Sequence, residues 1–188
     1  MTGMRICGYL WWAFLVIWLL WAIRTKPTQT REKLGTRIPY GLFNLAAFYV
    51  MFSQTGYAWL QLRFLPPDPR IGNLGVGVTA AGLLFAIWAR SYLGGNWSSS
   101  VTVKIGHQLI RTGPYRWVRH PIYSGLILAM IGTAITQGQL RGVVAVVLLW
   151  IGFSMKRRIE EDFMLTTFGH EYAEYSRTTG AIVPRLKL

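Results

Sequence analysis

The feature that most constrains this chain is a series of long apolar runs. Residues 6–23 read ICGYLWWAFLVIWLLWAI without a single charge. A bilayer core needs about 20 such residues in a helix. Further runs occupy 38–62 and 71–89, and two shorter ones, 121–136 and 140–155, are joined by the link QGQLR. At about 1.5 Å per residue each short run covers about 24 Å, which fits a tilted or extended helical hairpin. Of the 188 residues, 52% are hydrophobic and only 14% charged, a composition suited to an integral membrane protein and not to a soluble domain. The first run is too long and too rich in Trp for a signal peptide and has no small-residue cleavage site.

The distribution of charge orders these runs. Of the 20 basic residues, 16 fall in 24–37, 90–120 and 156–188, and only Arg5, Arg63, Arg70 and Arg141 fall in the alternate loops. The positive-inside rule therefore predicts five transmembrane helices, N-terminus out and C-terminus in. The net charge of +13 is explained by topology and anionic headgroups, not by nucleic acid. The expected fold is an all-α integral membrane protein. Residues 1–93 supply three N-terminal transmembrane helices. Residues 94–188 supply a cytoplasmic region made of a loop, the hairpin and a C-terminal helix. Within the loop, SVTVKI alternates as a short strand would. The sole cysteine, Cys7, has no partner for an internal disulfide.

Several motifs are excluded or weak. GNLGVG at 72–77 has the wrong spacing for a dinucleotide loop and reads as close helix packing. His107, His120 and His170 are too scattered to hold zinc, and no metal site is expected. Met164, Phe168, Tyr172 and Tyr175 form a stripe that reads as a packing or interfacial face and not as a cofactor box.

Two clusters concentrate the polar chemistry. The first is GPYRWVRHPIYSG at 113–125, directly before an apolar run. Arg116 and Arg119 can snorkel to headgroups there, and Pro121 suits a first helical turn. A helix N-terminus beside His120 also attracts carboxylates. The second is KRRIEED at 156–162, which holds three of the seven acidic residues in the chain. On a continuing helix, Arg157 with Glu161 and Arg158 with Asp162 stand at i,i+4. Charges at a membrane edge that face the bundle interior are usually functional.

Taken together, LGGNWSSSVTVKIGHQLIRTGPYRWVRHPIYSG, the hairpin, and RRIEEDFMLTTFGHEYAEYSRTTGAIVP resemble the isoprenylcysteine carboxyl methyltransferase family over residues 93–184. The elements RHPxY, EE, FGxEYxxY and Pro184 carry the resemblance, and membrane methyltransferases of phospholipid amines share RHPxY and EE. The resemblance implies S-adenosylmethionine as methyl donor, S-adenosylhomocysteine as product, and a lipophilic acceptor reaching the site from the bilayer. It implies cofactor contacts from Lys104, His107, Gly113, Tyr115, His120, Pro121, Tyr123 and Glu160, with Arg157 or Arg158 and Glu161 nearest the acceptor. The expected activity is carboxyl O-methylation of a prenylcysteine-like acceptor at the cytoplasmic face of an inner membrane. N-methylation of a phospholipid amine and non-catalytic lipid binding are the alternatives. A carboxylate is already ionised at neutral pH and needs no base, whereas an ammonium must first lose a proton.

Overall fold

The computed structural model describes residues 2–22, 28–31, 34–53, 57–97, 102–104 and 108–185. Helix α1 covers Thr2–Ala22, α2 Leu34–Phe52, α3 Pro69–Leu93, α4 Pro121–Gln137, α5 Leu140–Phe168 and α6 His170–Thr178. Two short strands, β1 (Thr28–Arg31) and β2 (Thr102–Lys104), pair antiparallel, so the fold is mostly helical but not purely α. The ladder ties the α1–α2 connection to the loop that follows α3.

Local sequence explains the boundaries. Asp68 caps α3 by accepting from Arg70 N at 2.7 Å, and Pro69 opens the helix. Gly138, at φ +66°, ends α4, and α5 starts two residues later. The second apolar run does not form one helix over 38–62. α2 stops at Phe52, and a 3-10 turn at Ala58–Gln61 follows. The polar SQTG at 53–56 interrupts the run, whose later apolar residues belong to the connection. Conversely, α5 does continue past the apolar run and carries Glu160 and Glu161.

Side-chain pairings fix the helix directions. Cys7 meets Thr79, and Trp21 O accepts from Arg90, so α1 runs parallel to α3. Cys7 Sγ donates to Thr136 and, one turn later in α1, Trp11 Nε1 donates to Thr133, so α4 is antiparallel to both. Gln137 donates to Met51 O, and Arg141 to Ser53 O. α2 therefore runs with α4, and α5 against it. The α3–α4 seam is built from small residues. Gly75, Thr79, Gly82 and Ala86 of α3 meet Gly125, Ala129, Gly132 and Thr136 of α4. A Cβ at Gly82 or Gly132 would land on the facing backbone. The reading of GNLGVG as close packing holds at Gly75 alone, since Gly72 and Gly77 face open space.

Among the described residues, α1 and α3 are long and apolar enough to cross a membrane, and α4 is a shorter apolar helix. The outer faces are strongly apolar: Tyr9 is 74% exposed, Trp12 68%, Leu45 68% and Leu84 65%. A surface so apolar needs cover, which lipid supplies.

Candidate functional site

The site is built where α4 begins, against the polar half of α5. The residues before α4 form a 3-10 turn, Gly113–Arg116, whose Gly113 has φ +59° and packs on the Tyr92 ring. The chain then pairs with its own tail. Arg119 N donates to Gly180 O at 2.8 Å and His120 N to Ala181 O at 2.9 Å, while Ser124 Oγ donates to Ile182 O. Ile182 is buried, so the tail acts as a strap that holds Arg119 and His120 in place. Tyr175 of α6 donates to Tyr115 O and pins the preceding turn.

Two carboxylates on α5 face this segment. Glu161 Oε1 accepts from Arg119 Nε at 3.1 Å and Nη2 at 2.8 Å, and lies 3.1 Å from His120 Nε2. Glu161 Oε2 accepts from Arg157 at 2.9 Å. Glu160 Oε1 accepts from Tyr123 OH at 2.6 Å, and Glu160 Oε2 lies 3.3 Å from His120 Nδ1. The His120 ring stacks on Tyr123, and Tyr123 on Phe153. Both imidazole nitrogens thus face carboxylate oxygens, an arrangement that suits the imidazolium. Burial disfavours that charge, but the hydrogen bonds that His120 donates to Glu160 and Glu161 outweigh it and raise the His120 pKa above its ordinary value. Burial alone would raise both glutamates. His120 and Arg119 instead hold Glu161 down at about 2, and His120 and Lys156 hold Glu160 below the usual carboxylate range.

A cavity of about 800 Å³ opens beside the cluster. Its polar end is lined by Arg119, His120, Tyr115, Lys156, Glu160, Tyr172 and Tyr175. Its other end runs between α1 and α2 and is lined by Gly8, Trp11, Phe14, Leu15, Trp18, Phe48 and Phe52. Edge-to-face contacts join Trp11 to Phe48 at 5.0 Å and Trp18 to Trp97 at 5.3 Å along that apolar wall. Tyr115 OH is buried without a partner among the described residues.

The residues singled out from sequence divide accordingly. His120, Tyr123, Glu160 and Glu161 converge in one cluster, Tyr115 lines the cavity, and buried Pro121 opens α4. Arg157 is bound to Glu161, while Arg158 is exposed, and neither lines the cavity. Lys104 lies in β2 with its side chain outside the described residues, as does all of His107. The expected stripe from Met164 to Tyr175 is split by Gly169 at φ +51°. Its tyrosines are buried against the site, although they also line the cavity. Sequence reasoning gave Arg119 only a headgroup role and gave Lys156 none. Their one signal was position: Arg119 directly precedes His-Pro, and Lys156 stands four residues before Glu160.

The phospholipid methyltransferase family model matches residues 72–171. The protein-S-isoprenylcysteine O-methyltransferase of Saccharomyces cerevisiae is 38% identical over 79 residues, which cover 42% of this chain and 33% of that protein. The cobalt-zinc-cadmium resistance protein CzcN of Cupriavidus metallidurans is 29% identical over 160 residues, 85% of this chain and 67% of that one. Among solved structures, the eukaryotic intramembrane Ras methyltransferase ICMT superposes with a TM-score of 0.59 at 26% identity, covering 77% of this chain and 52% of that chain. The matched segment is thus a third of the yeast protein and half of the solved one. With more than half its length matched, RHPxY and the glutamate pair included, the chain belongs to the phospholipid methyltransferase family and groups there with the isoprenylcysteine carboxyl methyltransferases.

Proposed function

We propose that the protein transfers a methyl group from S-adenosylmethionine to the carboxylate of a prenylcysteine-like lipophilic acceptor. It does so at the cytoplasmic face of an inner membrane that it crosses five times, N-terminus out. The observation that carries this reading is a cavity with a charged end at Arg119, His120 and Glu160 and an aromatic end between α1 and α2. A lipid carboxylate has the same two halves. The alternation of helix directions and the basic excess in the cytoplasmic segments support the topology.

The residues at the polar end suit the donor. The Tyr115 hydroxyl, without a partner among the described residues, offers a hydrogen bond to its polar groups, and the ionised Glu160 attracts its ammonium. Tyr115, His120 and Glu160 would hold it, with Tyr123 and Glu161 fixing those side chains. When bound, S-adenosylmethionine supplies an electrophilic methyl group on a sulfonium and leaves as S-adenosylhomocysteine. An acceptor oxygen forms the new O–C bond as the S–C bond breaks, and the electron pair returns to sulfur. No proton moves. Two opposite charges vanish, so a poorly hydrated cavity favours the step. Orientation by the cavity walls supplies the rest.

The same electrostatics argue against a phospholipid amine as acceptor. An ammonium must be deprotonated before attack. Glu160 and Glu161 are held below the usual carboxylate range, which weakens them as bases, and both ring nitrogens of His120 face their oxygens and not the acceptor.

The test is radiolabelled methyl transfer by purified protein in nanodiscs, offered N-acetyl-S-farnesylcysteine or phosphatidylethanolamine. Base-labile label in the prenylcysteine, with kcat flat from pH 6 to 8, is expected. Label in the amine alone would overturn the reading.

A further inference from the structure

The wall that α1 gives to the cavity is bulky except at one position. Trp11, Trp12, Phe14, Leu15 and Trp18 line it, and so does Gly8. A glycine inside a helix is less stable there than alanine. At Gly75, Gly82, Gly125 and Gly132 close packing offsets that cost, because a Cβ would strike the backbone of the facing helix. Gly8 has no such reason: a Cβ there meets nothing within 4 Å. Gly35, Gly41, Gly72 and Gly77 share this freedom, but none of them lines the cavity.

Gly8 also lies at the end of the cavity farthest from the charged cluster. Its neighbour Cys7 donates to Thr136, near the end of α4, whereas His120 stands at the start of that helix. From His120 to Thr136 is about 24 Å along the axis at about 1.5 Å per residue. Phe52, where α2 ends, lines the same far end, since its neighbour Met51 accepts from Gln137. Spread over that length, a volume of about 800 Å³ makes a slender cavity, suited to one extended chain. The missing side chain at Gly8 leaves room where such a chain would finish.

We infer that Gly8 sets the longest apolar tail that the cavity accepts on the acceptor. This rests on the proposed acceptor class. A side chain at position 8 occupies the space of the last isoprene unit of a long tail, while a short tail ends before reaching it.

The test offers the full chain in nanodiscs N-acetylcysteine bearing an S-geranyl, S-farnesyl or S-geranylgeranyl group, and measures kcat/KM for each. The readout is the ratio of the geranylgeranyl value to the geranyl value. Gly8→Leu lowers that ratio at least about tenfold, the scale of about two buried methylene groups. Gly8→Ala lowers it less. Gly41→Leu, on α2 and off the cavity, leaves it within about twofold. Thermal unfolding and S-adenosylhomocysteine binding check that each variant is folded. A folded Gly8→Leu protein with an unchanged ratio overturns the inference, because the tail then runs out into the bilayer past the exposed Trp12. Equal losses for all three acceptors overturn it as well, because Gly8 then shapes the cavity without measuring the tail. In both cases the wild type still methylates prenylcysteine acids and the proposed function stands. A wild type that methylates none of the three removes the proposed function, and the inference with it.

Discussion

The two sides of the helical bundle are made of opposite materials. Along the α3–α4 seam the backbones touch, and the residues between them are Gly, Ala and Thr. Across the bundle, α1 and α2 meet through large aromatic side chains, Trp11 on Phe48, with a cavity beside them. The first side has no slack. Its hydroxyl groups bond inward, Thr79 to Gly75 O at 2.9 Å and Thr133 to Ala129 O at 2.9 Å. It fixes the start of α4, and with it His120. The second side can repack around a guest, because aromatic rings can rotate or shift where contacting backbones cannot. A rigid half thus holds the charged cluster in register, and an adaptable half is where the proposed function seats the lipophilic acceptor.

The largest expected effect breaks the rigid half. Gly132→Val forces a branched side chain into the Thr79 backbone and should cost about 3 kcal/mol or more. Thermal unfolding in detergent would show it, together with weakened S-adenosylhomocysteine binding. Gly8→Val on the cavity side meets open space and should cost less than about 1 kcal/mol. Equal tolerance of the two substitutions would refute the contrast.

Next in size is the charged cluster that the seam supports. Glu161→Gln strips the carboxylate from Arg119, His120 and Arg157 together. Removing one partner of a buried ion pair costs about 3–5 kcal/mol, and at 17% exposure the lower end applies. Methyl transfer should fall at least about a hundredfold. Arg158→Gln, three residues earlier on the same helix and exposed, should leave turnover within about twofold. Comparable losses in both would mean that the cluster does not centre on Glu161.

The pH response is smaller and has a definite sign. The folded pKa of His120 is raised, so its contribution to stability is complete below the unfolded value, about 6.5, and is lost as pH rises through the folded value. Glu161 is held down at about 2, so its contribution persists above about 4.3 and disappears only in acid. Melting temperature should therefore drift downward above neutrality. His120→Gln should remove that drift while lowering stability at pH 6. An unchanged alkaline slope in the variant would assign the drift to another group.

How far the sequence reveals this arrangement depends on whether the information is local. The RHPxY and EE elements, the hairpin turn and the helical extension carrying the glutamates are all local and were legible. The i,i+4 rule predicted Arg157–Glu161 correctly but gave Arg158–Asp162 equal weight, because spacing does not say which face of a helix is buried. The role of Arg119 depends on a strap from residues some 60 positions away, which no local pattern announces. Lys156 was hidden in a run of three cations, and only the rotation of α5 separates it from the other two. The single helix expected over 38–62 failed for a different reason. Apolar composition continues past Phe52, while the polar SQTG that breaks the run is only four residues long.

The finest distinction lies where the two halves touch. Trp11 belongs to the adaptable wall by its contact with Phe48, but its indole Nε1 donates at 3.0 Å to Thr133, which also lies 3.2 Å from Thr79 Oγ1. This hydrogen bond therefore anchors the aromatic wall to the hard side, between the Cys7–Thr79 and Trp21–Arg90 contacts of the same helix. Trp11→Phe keeps an aromatic face and loses the anchor. The net cost of one such bond is about 1 kcal/mol, a shift of a few degrees in melting temperature. If the anchor holds the wall in place, the variant should keep S-adenosylhomocysteine affinity and alter the preference between S-farnesyl and S-geranylgeranyl acceptors by about two- to fivefold. Thr133→Val should produce the same change in acceptor preference without touching the wall itself. A change in the first variant but not in the second would locate the effect in the size of the ring and free the wall from the seam.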